Sequence, residues 1–216
     1  MHKGFVAIVG SREVPTDELE LFIRLGRTFT DIGLADSSGD AFCSDRAGWW
    51  GARQSRAYSE VGARIYLTES YRARKRAEEH PFFIIAEDYP EKWDMAKSLA
   101  FAARGNFNGL NEYGIGLHTR NVYQIYGHWL DDPVKLLVYY APVVGNVENE
   151  VVKGGTNTAL QIAKQAEVPV RINLATEKGL TWAETFLSKY EEDYSYVDID
   201  WKQILKHDDP RLEYLS

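Results

Sequence analysis

The chain has 216 residues, 44% hydrophobic and 26% charged, with a net charge of -7. That is the profile of a globular protein of one domain, or one domain with an appendage, long enough to bury a sizeable core. The acidic balance argues against a general nucleic-acid coat, although a local basic patch stays open. The single cysteine, Cys43, excludes an internal disulfide and a cysteine-based zinc site and fits a reducing compartment.

The start, Met1-His2-Lys3-Gly4, runs straight into a strand without a signal-peptide pattern. No apolar run approaches the length of a membrane-spanning helix. The expectation is a cytoplasmic protein, in the host cytoplasm if the source is viral, with no membrane partner.

Phe5-Val6-Ala7-Ile8-Val9 is a continuous apolar run rich in β-branched residues and reads as a central strand buried on both faces. It ends at Gly10-Ser11-Arg12, and Thr16-Asp17-Glu18 opens a helix with Thr16 as its cap and Leu19, Phe22, Ile23 and Phe29 on its apolar face. Leu34 to Ala41 reads as a short strand running into a loop of small residues. Ser44-Asp45-Arg46-Ala47 starts a helix carrying Trp49, Trp50, Ala52 and Tyr58, and Gly62 to Leu67 is a third strand. This alternation of strand and helix is the mark of a parallel sheet with helices on both faces.

Tyr71 to Lys97 breaks the pattern. It holds the basic run Arg72-Ala73-Arg74-Lys75-Arg76, which is either a solvated helix face or a phosphate-binding patch. A helix is expected over Ser98 to Phe107 and a loop over Asn106 to Gly116. In Leu117 to Gly127, Val122, Ile125 and Tyr126 have helical spacing, which places Thr119, Arg120 and Asn121 in a first turn. An arginine there opposes the helix dipole and calls for a partner, either an acidic side chain or a bound anion. His118 is either a base, a ligand contact or a satisfied structural group.

Lys135 to Tyr140 reads as another buried strand and Val168 to Leu174 as a further one. Between them lie the loop Ala141 to Val152, whose titratable residues are Glu148 and Glu150, and the stretch Lys153-Gly154-Gly155-Thr156-Asn157-Thr158, which opens a helix. Two glycines and two threonines at a helix N-terminus, above the ends of strands, suit an anion. They equally suit a tight turn capped by Thr156. Beyond Leu174, Thr181 reads as the cap of a helix and Val197 to Trp201 as an alternating edge strand.

These segments together resemble the SLOG superfamily of Rossmann-like proteins. That group includes the DNA-processing protein A family and the Lonely Guy phosphoribohydrolases. The likeness rests on Val6 to Arg12, on Ser38-Gly39-Asp40-Ala41 followed by Ser44-Asp45-Arg46-Ala47, on Arg120-Asn121 followed by Gly127, and on Lys153-Gly154-Gly155-Thr156. The Arg120-Asn121 pair is similar to a helix start in a phage and bacterial branch. The resemblance implies an α/β Rossmann-like domain over residues 1–176, with an inserted helical and loop segment at about 70–116 and a C-terminal extension over 177–216. It departs from the hydrolases at two points: Asn157 stands where they have a glycine, and Gln161 where they have the catalytic glutamate. A glutamine cannot take up a proton as a carboxylate does.

Three functions follow as expectations. The first is a binder of a nucleotide or nucleotide-derived phosphate, without a cofactor or metal. Phosphates would lie on Gly154, Gly155, Thr156, Asn157 and Thr158, with Gly10, Ser11 and Arg12 on the other wall and Ser38 and Gly39 beside them. Arg120 would neutralise charge, Asp45 or Asn121 would hold ribose hydroxyls, and aromatic residues near Trp49 would stack a base. The second is an N-glycoside hydrolase using Asp45, Glu148 or Glu150 as its carboxylate. The third is single-stranded DNA binding through the basic run with Phe82 and Phe83. A homodimer or higher homo-oligomer is expected.

Overall fold

The computed structural model describes residues 2–145, 150–192 and 198–215. Its centre is a six-stranded, all-parallel sheet in the order β4-β3-β2-β1-β5-β6. The strands are β1 (Phe5–Gly10), β2 (Ala35–Ser38), β3 (Ala63–Leu67), β4 (Phe83–Ile85), β5 (Leu136–Tyr140) and β6 (Val170–Asn173). The helices are α1 (Thr16–Asp31), α2 (Ser44–Gln54), α3 (Tyr58–Val61), α4 (Tyr71–Glu79), α5 (Pro90–Arg104), α6 (Glu112–Tyr126), α7 (Gly155–Gln165), α8 (Glu177–Tyr190), α9 (Trp201–Ile204) and α10 (Leu212–Leu215). The fold is the expected Rossmann-like α/β arrangement.

The two-residue period of β1 divides the core into two layers. Val6 and Ile8 pack with Leu19, Phe22, Leu25, Leu136, Val138 and Leu187, the layer under α1, α2 and α8. Ala7 and Val9 pack with Val122, Tyr123, Leu137, Leu160 and Ile162, the layer under α5, α6 and α7. Both faces are covered, which is why β1 and β5 are nearly unbroken apolar runs.

Chain order places the site. The first four strands step outward from β1 in one direction, and the chain then returns to lay β5 on the other flank of β1. The loops that leave β1 and β5 diverge to opposite faces, and a crevice opens between them at the carboxyl ends of the strands.

Several expectations need correction. Tyr71 to Lys97 does not break the alternation, because α4 leads into β4, which pairs parallel with β3; a strand of three residues is too short to show a period. The helix expected over Ser98 to Phe107 is α5, which begins at Pro90. The loop expected to run to Gly116 ends at Asn111, whose side chain accepts a hydrogen bond from Gly114 N and starts α6. Arg120 therefore lies deep in α6, not in its first turn. Thr16 opens α1 without a side-chain cap, Tyr58 belongs to α3, and α8 is capped by Thr176 rather than Thr181. Asp198 to Asp200 form no strand, and Trp201 begins α9.

The α1–α2 contact is unusually close. A Cβ on Gly51 would overlap the carbonyl oxygen of Ile23, and one on Gly26 would overlap that of Gly48. Backbone meets backbone there, with no side chain able to yield. Gly51→Ala is therefore expected to lower unfolding free energy by about 1–3 kcal/mol, measured by urea denaturation; an unchanged midpoint would show that the helices separate without cost.

Candidate functional site

The crevice is a cleft of about 430 Å³ at the carboxyl ends of β1 and β5. One wall is Gly10-Ser11-Arg12-Glu13, the opposite wall Lys153-Gly154-Gly155-Thr156, and the floor and back are Asp45 from α2 and His118, Arg120, Asn121 and Gln124 from α6. A larger groove of about 610 Å³ lies between α1 and α8. There Arg24 already donates two hydrogen bonds to Glu191, and none of the glycine loops reaches it.

The first wall is held from beneath. Ser11 N donates to Tyr140 O at 2.8 Å, and Ser44 Oγ donates to Ser11 O at 3.3 Å. A Cβ on Gly10 would overlap Ser44 Oγ, so glycine is required for α2 to approach β1. On the second wall Gly154 takes φ +78°, with open space where a Cβ would stand. It forms the N-cap position of α7, which no side chain caps. Asn157 N donates to Gly154 O at 3.1 Å, while Gly155 and Thr156, whose N–H groups no side chain caps, line the cleft.

α6 supplies the interior. Arg120 is 9% exposed, and its guanidinium donates to Gly39 O. Burial depresses its pKa, and Asp45 is the largest opposing influence. Asp45 is 2% exposed and accepts from the N–H groups of Gly39 at 3.2 Å and Ala41 at 3.3 Å. Burial raises its carboxyl to about 6 against the pull of Arg120. Even so, Nε of Arg120 and both polar atoms of the Gln124 carboxamide are buried without hydrogen-bond partners among the described residues. Gln124 is 1% exposed. His118, half-buried on the same helix, shares a 2.9 Å hydrogen bond through Nδ1 with Thr158 Oγ1.

Nine expected residues meet at this cleft: Gly10, Ser11, Arg12, Asp45, Arg120, Asn121, Gly154, Gly155 and Thr156. Others are engaged elsewhere. Ser38 is fully buried and its hydroxyl donates to Asp36 at 3.0 Å. Gly39 lies behind the site, where a Cβ would collide with Gln124 and Arg120. Asn157 Oδ1 accepts from Val152 N and Gln161 Nε2 at 3.2 Å, and Thr158 turns to His118. Glu150 pairs with Arg171 at 3.2 Å and Lys164 at 3.8 Å, outside the cleft. Gln161 does not line it either. Glu148 lies outside the described residues.

Trp49 does not offer a stacking face to the cleft: it is 5% exposed, donates to Tyr58 Oη at 3.0 Å and packs on Phe83. The basic run is α4, and most of its charge is matched. Arg74 pairs with Glu69 and Asp88, Lys75 with Glu79, and Arg76 with Asp40. Gln124 was missed by sequence reasoning, since a glutamine one turn after Arg120 looks like any polar helix position. Its signal was the i, i+4 spacing from Arg120 within the segment already read as helical. No group of three or more His, Cys, Asp or Glu among the described residues is arranged to hold a metal, and no helix among them is long and apolar enough to cross a membrane.

The raised carboxyl of Asp45 has a consequence for stability. A folded-state pKa of about 6, against 3.8 for the free group, means that the folded chain binds the proton more tightly. The resulting stabilisation is complete below the free value and is lost as pH rises through about 6. Asp36, also raised by burial, acts with the same sign. Asp45→Asn keeps an oxygen for the two N–H donors and removes the titration. Denaturation from pH 4.5 to 7.5 should then give a flatter profile than wild type, by up to about 1.4 kcal/mol per pH unit. Superimposable profiles would refute the assignment.

The chain matches no family model, no curated protein and no solved structure.

Proposed function

We propose that the cleft binds a nucleotide or a nucleotide-derived phosphate ligand. The observation that carries this is the pair of buried, unpartnered polar groups on Arg120 and Gln124, two residues that line the same cleft as an uncapped helix N-terminus. Leaving buried polar atoms unpaired costs about 1–3 kcal/mol each, and a ligand that supplies the partners recovers it. Arg12, Lys153 and Arg120 bring positive charge to one cleft, and the α7 terminus adds its partial charge. Phosphate therefore belongs on the Gly154–Thr156 side. The Gln124 carboxamide, with a donor and an acceptor side by side, suits a base edge or another amide-like group.

A second reading keeps some support. Asp45 is a cleft carboxylate with a pKa near 6, the range useful for general acid-base work. N-glycoside cleavage would then rely on Asp45 rather than Glu150, which is paired outside the cleft. Single-stranded DNA binding through α4 has less support, because its arginines and lysine are largely paired within the chain.

Nucleotides and sugar phosphates are expected to raise the melting temperature of the wild-type protein in a thermal-shift screen. If none does, the binding reading fails. Arg12→Ala, at the exposed mouth, should preserve stability and weaken phosphate-ligand binding several-fold at low salt, an effect that shrinks at high salt. Arg120→Met should weaken it by about 10- to 100-fold, read by calorimetry under conditions where circular dichroism shows a folded chain. Release of free base from nucleoside monophosphates, abolished in Asp45→Asn, would replace the binding reading with the hydrolytic one.

A further inference from the structure

The cleft contains one group that neither reading uses. His118 projects from α6 between the two walls, beside the turn into α7: its Cε1 lies 3.9 Å from the position a Cβ on Gly155 would take. Its Nδ1 is committed to Thr158 Oγ1 at 2.9 Å. Thr158 is 2% exposed, and its hydroxyl has no other hydrogen-bond partner among the described residues. A buried hydroxyl that accepted from Nδ1 would leave its own proton without an acceptor, an uncompensated cost. The favourable arrangement has the hydroxyl donating to Nδ1, which puts the neutral ring's proton on Nε2. Nε2 has no partner among the described residues, and the ring lines the cleft.

We propose, resting on the phosphate-ligand reading above, that His118 is the charge-switching contact of this site. With Nδ1 held by Thr158, Nε2 donates to an oxygen of an anionic phosphoryl group seated at the N-terminus of α7, and the ring takes up a proton from solvent as the anion binds. The ligand class this specifies is one with an accessible oxyanion on the Gly154–Thr156 side, rather than a neutral nucleoside.

The surroundings fit such a switch. Burial is the main cause holding the ring below its ordinary pKa, and Arg104 at the end of α5 and Arg120 on α6 add to it. The other charged groups around the cleft are Arg12 and Glu13 after β1, Asp45 on α2 and Lys153 before α7. The ring is thus neutral at pH 7 in the empty cleft, where a second cation beside Arg120 would be repelled. An anion reverses that balance by supplying opposite charge to a desolvated ring. When the ring is protonated, Nδ1 also carries a hydrogen and Thr158 Oγ1 turns to accept it; the hydroxyl proton then lacks an acceptor, a cost that helps keep the ring neutral until an anion offsets it. By linkage, anion affinity rises as pH falls through the titration of His118. Asp45 titrates with the same sign, so affinity alone does not separate the two groups.

The test reads the ring itself. Histidine ring resonances are followed by NMR from pH 5 to 8 in the full chain, with His118→Gln assigning the signal. The series is repeated with saturating sulfate, which does not titrate in that range, and with a nucleoside 5′-monophosphate. Whichever anion binds is expected to move the His118 midpoint upward by about one pH unit or more. It should bind about tenfold more weakly to His118→Gln near pH 6. Asp45→Asn should leave the His118 shift in place. Thr158→Val should weaken anion binding and Thr158→Ser restore it, a rescue that separates orientation of the ring from mere packing. If an anion binds while the His118 midpoint stays still and His118→Gln binds as wild type does, the proposal is overturned and the binding reading stands. If neither anion binds at any pH and no nucleotide shifts the melting temperature, both fall together.

Discussion

Arg120 brings a charge that persists at any ordinary pH into a place almost closed to water. The surrounding chain is arranged to tolerate it. Gly39 accepts a hydrogen bond from the guanidinium through its carbonyl and, lacking a Cβ, leaves the room that the guanidinium and Gln124 occupy. Asp45 supplies the opposing charge, and its oxygen is fixed by the N–H groups of Gly39 and Ala41. One side chain thereby ties α6 to the β2–α2 connection across the crevice. The hydrogen bond to Gly39 and the opposing charge of Asp45 thus constrain the loop between β2 and α2 as well as the site.

The parts of this arrangement that follow from local pattern were legible in the sequence. β1, β5 and the helices after their glycine turns show continuous apolar runs and helical spacing, and their order alone implied a parallel sheet. The site's two walls followed, because glycine turns at strand ends fall on one edge. The interior was less legible. α6 carries Gly114 and Gly116 in its first turns, which read as loop. Gly116 is glycine for packing: a Cβ there would stand 2.7 Å from Thr68 Cγ2. With its first two turns hidden, Arg120 read as a first-turn residue rather than one deep in α6 at the back of the cleft. Likewise Ser38, Asn157 and Thr158 lie in the right segments but turn inward, and which way a small polar side chain turns is decided by tertiary contacts.

The basic run shows the same limit in another form. Arg72 to Arg76 looked like a patch for nucleic acid, yet Arg76 reaches back to Asp40, an internal anion only 6% exposed in its side chain that is also paired with Arg46. Asp40 holds a left-handed backbone, φ 58°, at the bend between β2 and α2. The arginines from α2 and α4 fasten that bend one residue beyond Gly39. Of the charge on α4, Arg76 is thus given to the loop behind Arg120, while Arg74 and Lys75 are matched locally by Glu69, Asp88 and Glu79.

The C-terminal residues belong to the same construction. Cys43, with φ 71°, takes a conformation that a β-carbon disfavours. Bonds from outside hold it there: its N–H donates to Ile204 O at 2.9 Å, and its thiol donates to Arg12 O at 3.0 Å. Arg211, paired with Asp209 at 2.8 Å, donates to Val14 O at 2.5 Å. Both carbonyls lie in the loop that leaves β1 and forms the first wall of the cleft. The chain's last described turns thus grip the backbone of the loop that forms the first cleft wall, through a strained cysteine one residue before α2. An extension that reads as a polar appendage in sequence is the clamp that sets where Ser11, Arg12 and Glu13 stand relative to Asp45. The position of one cleft wall depends on contacts made nearly two hundred residues away in the chain.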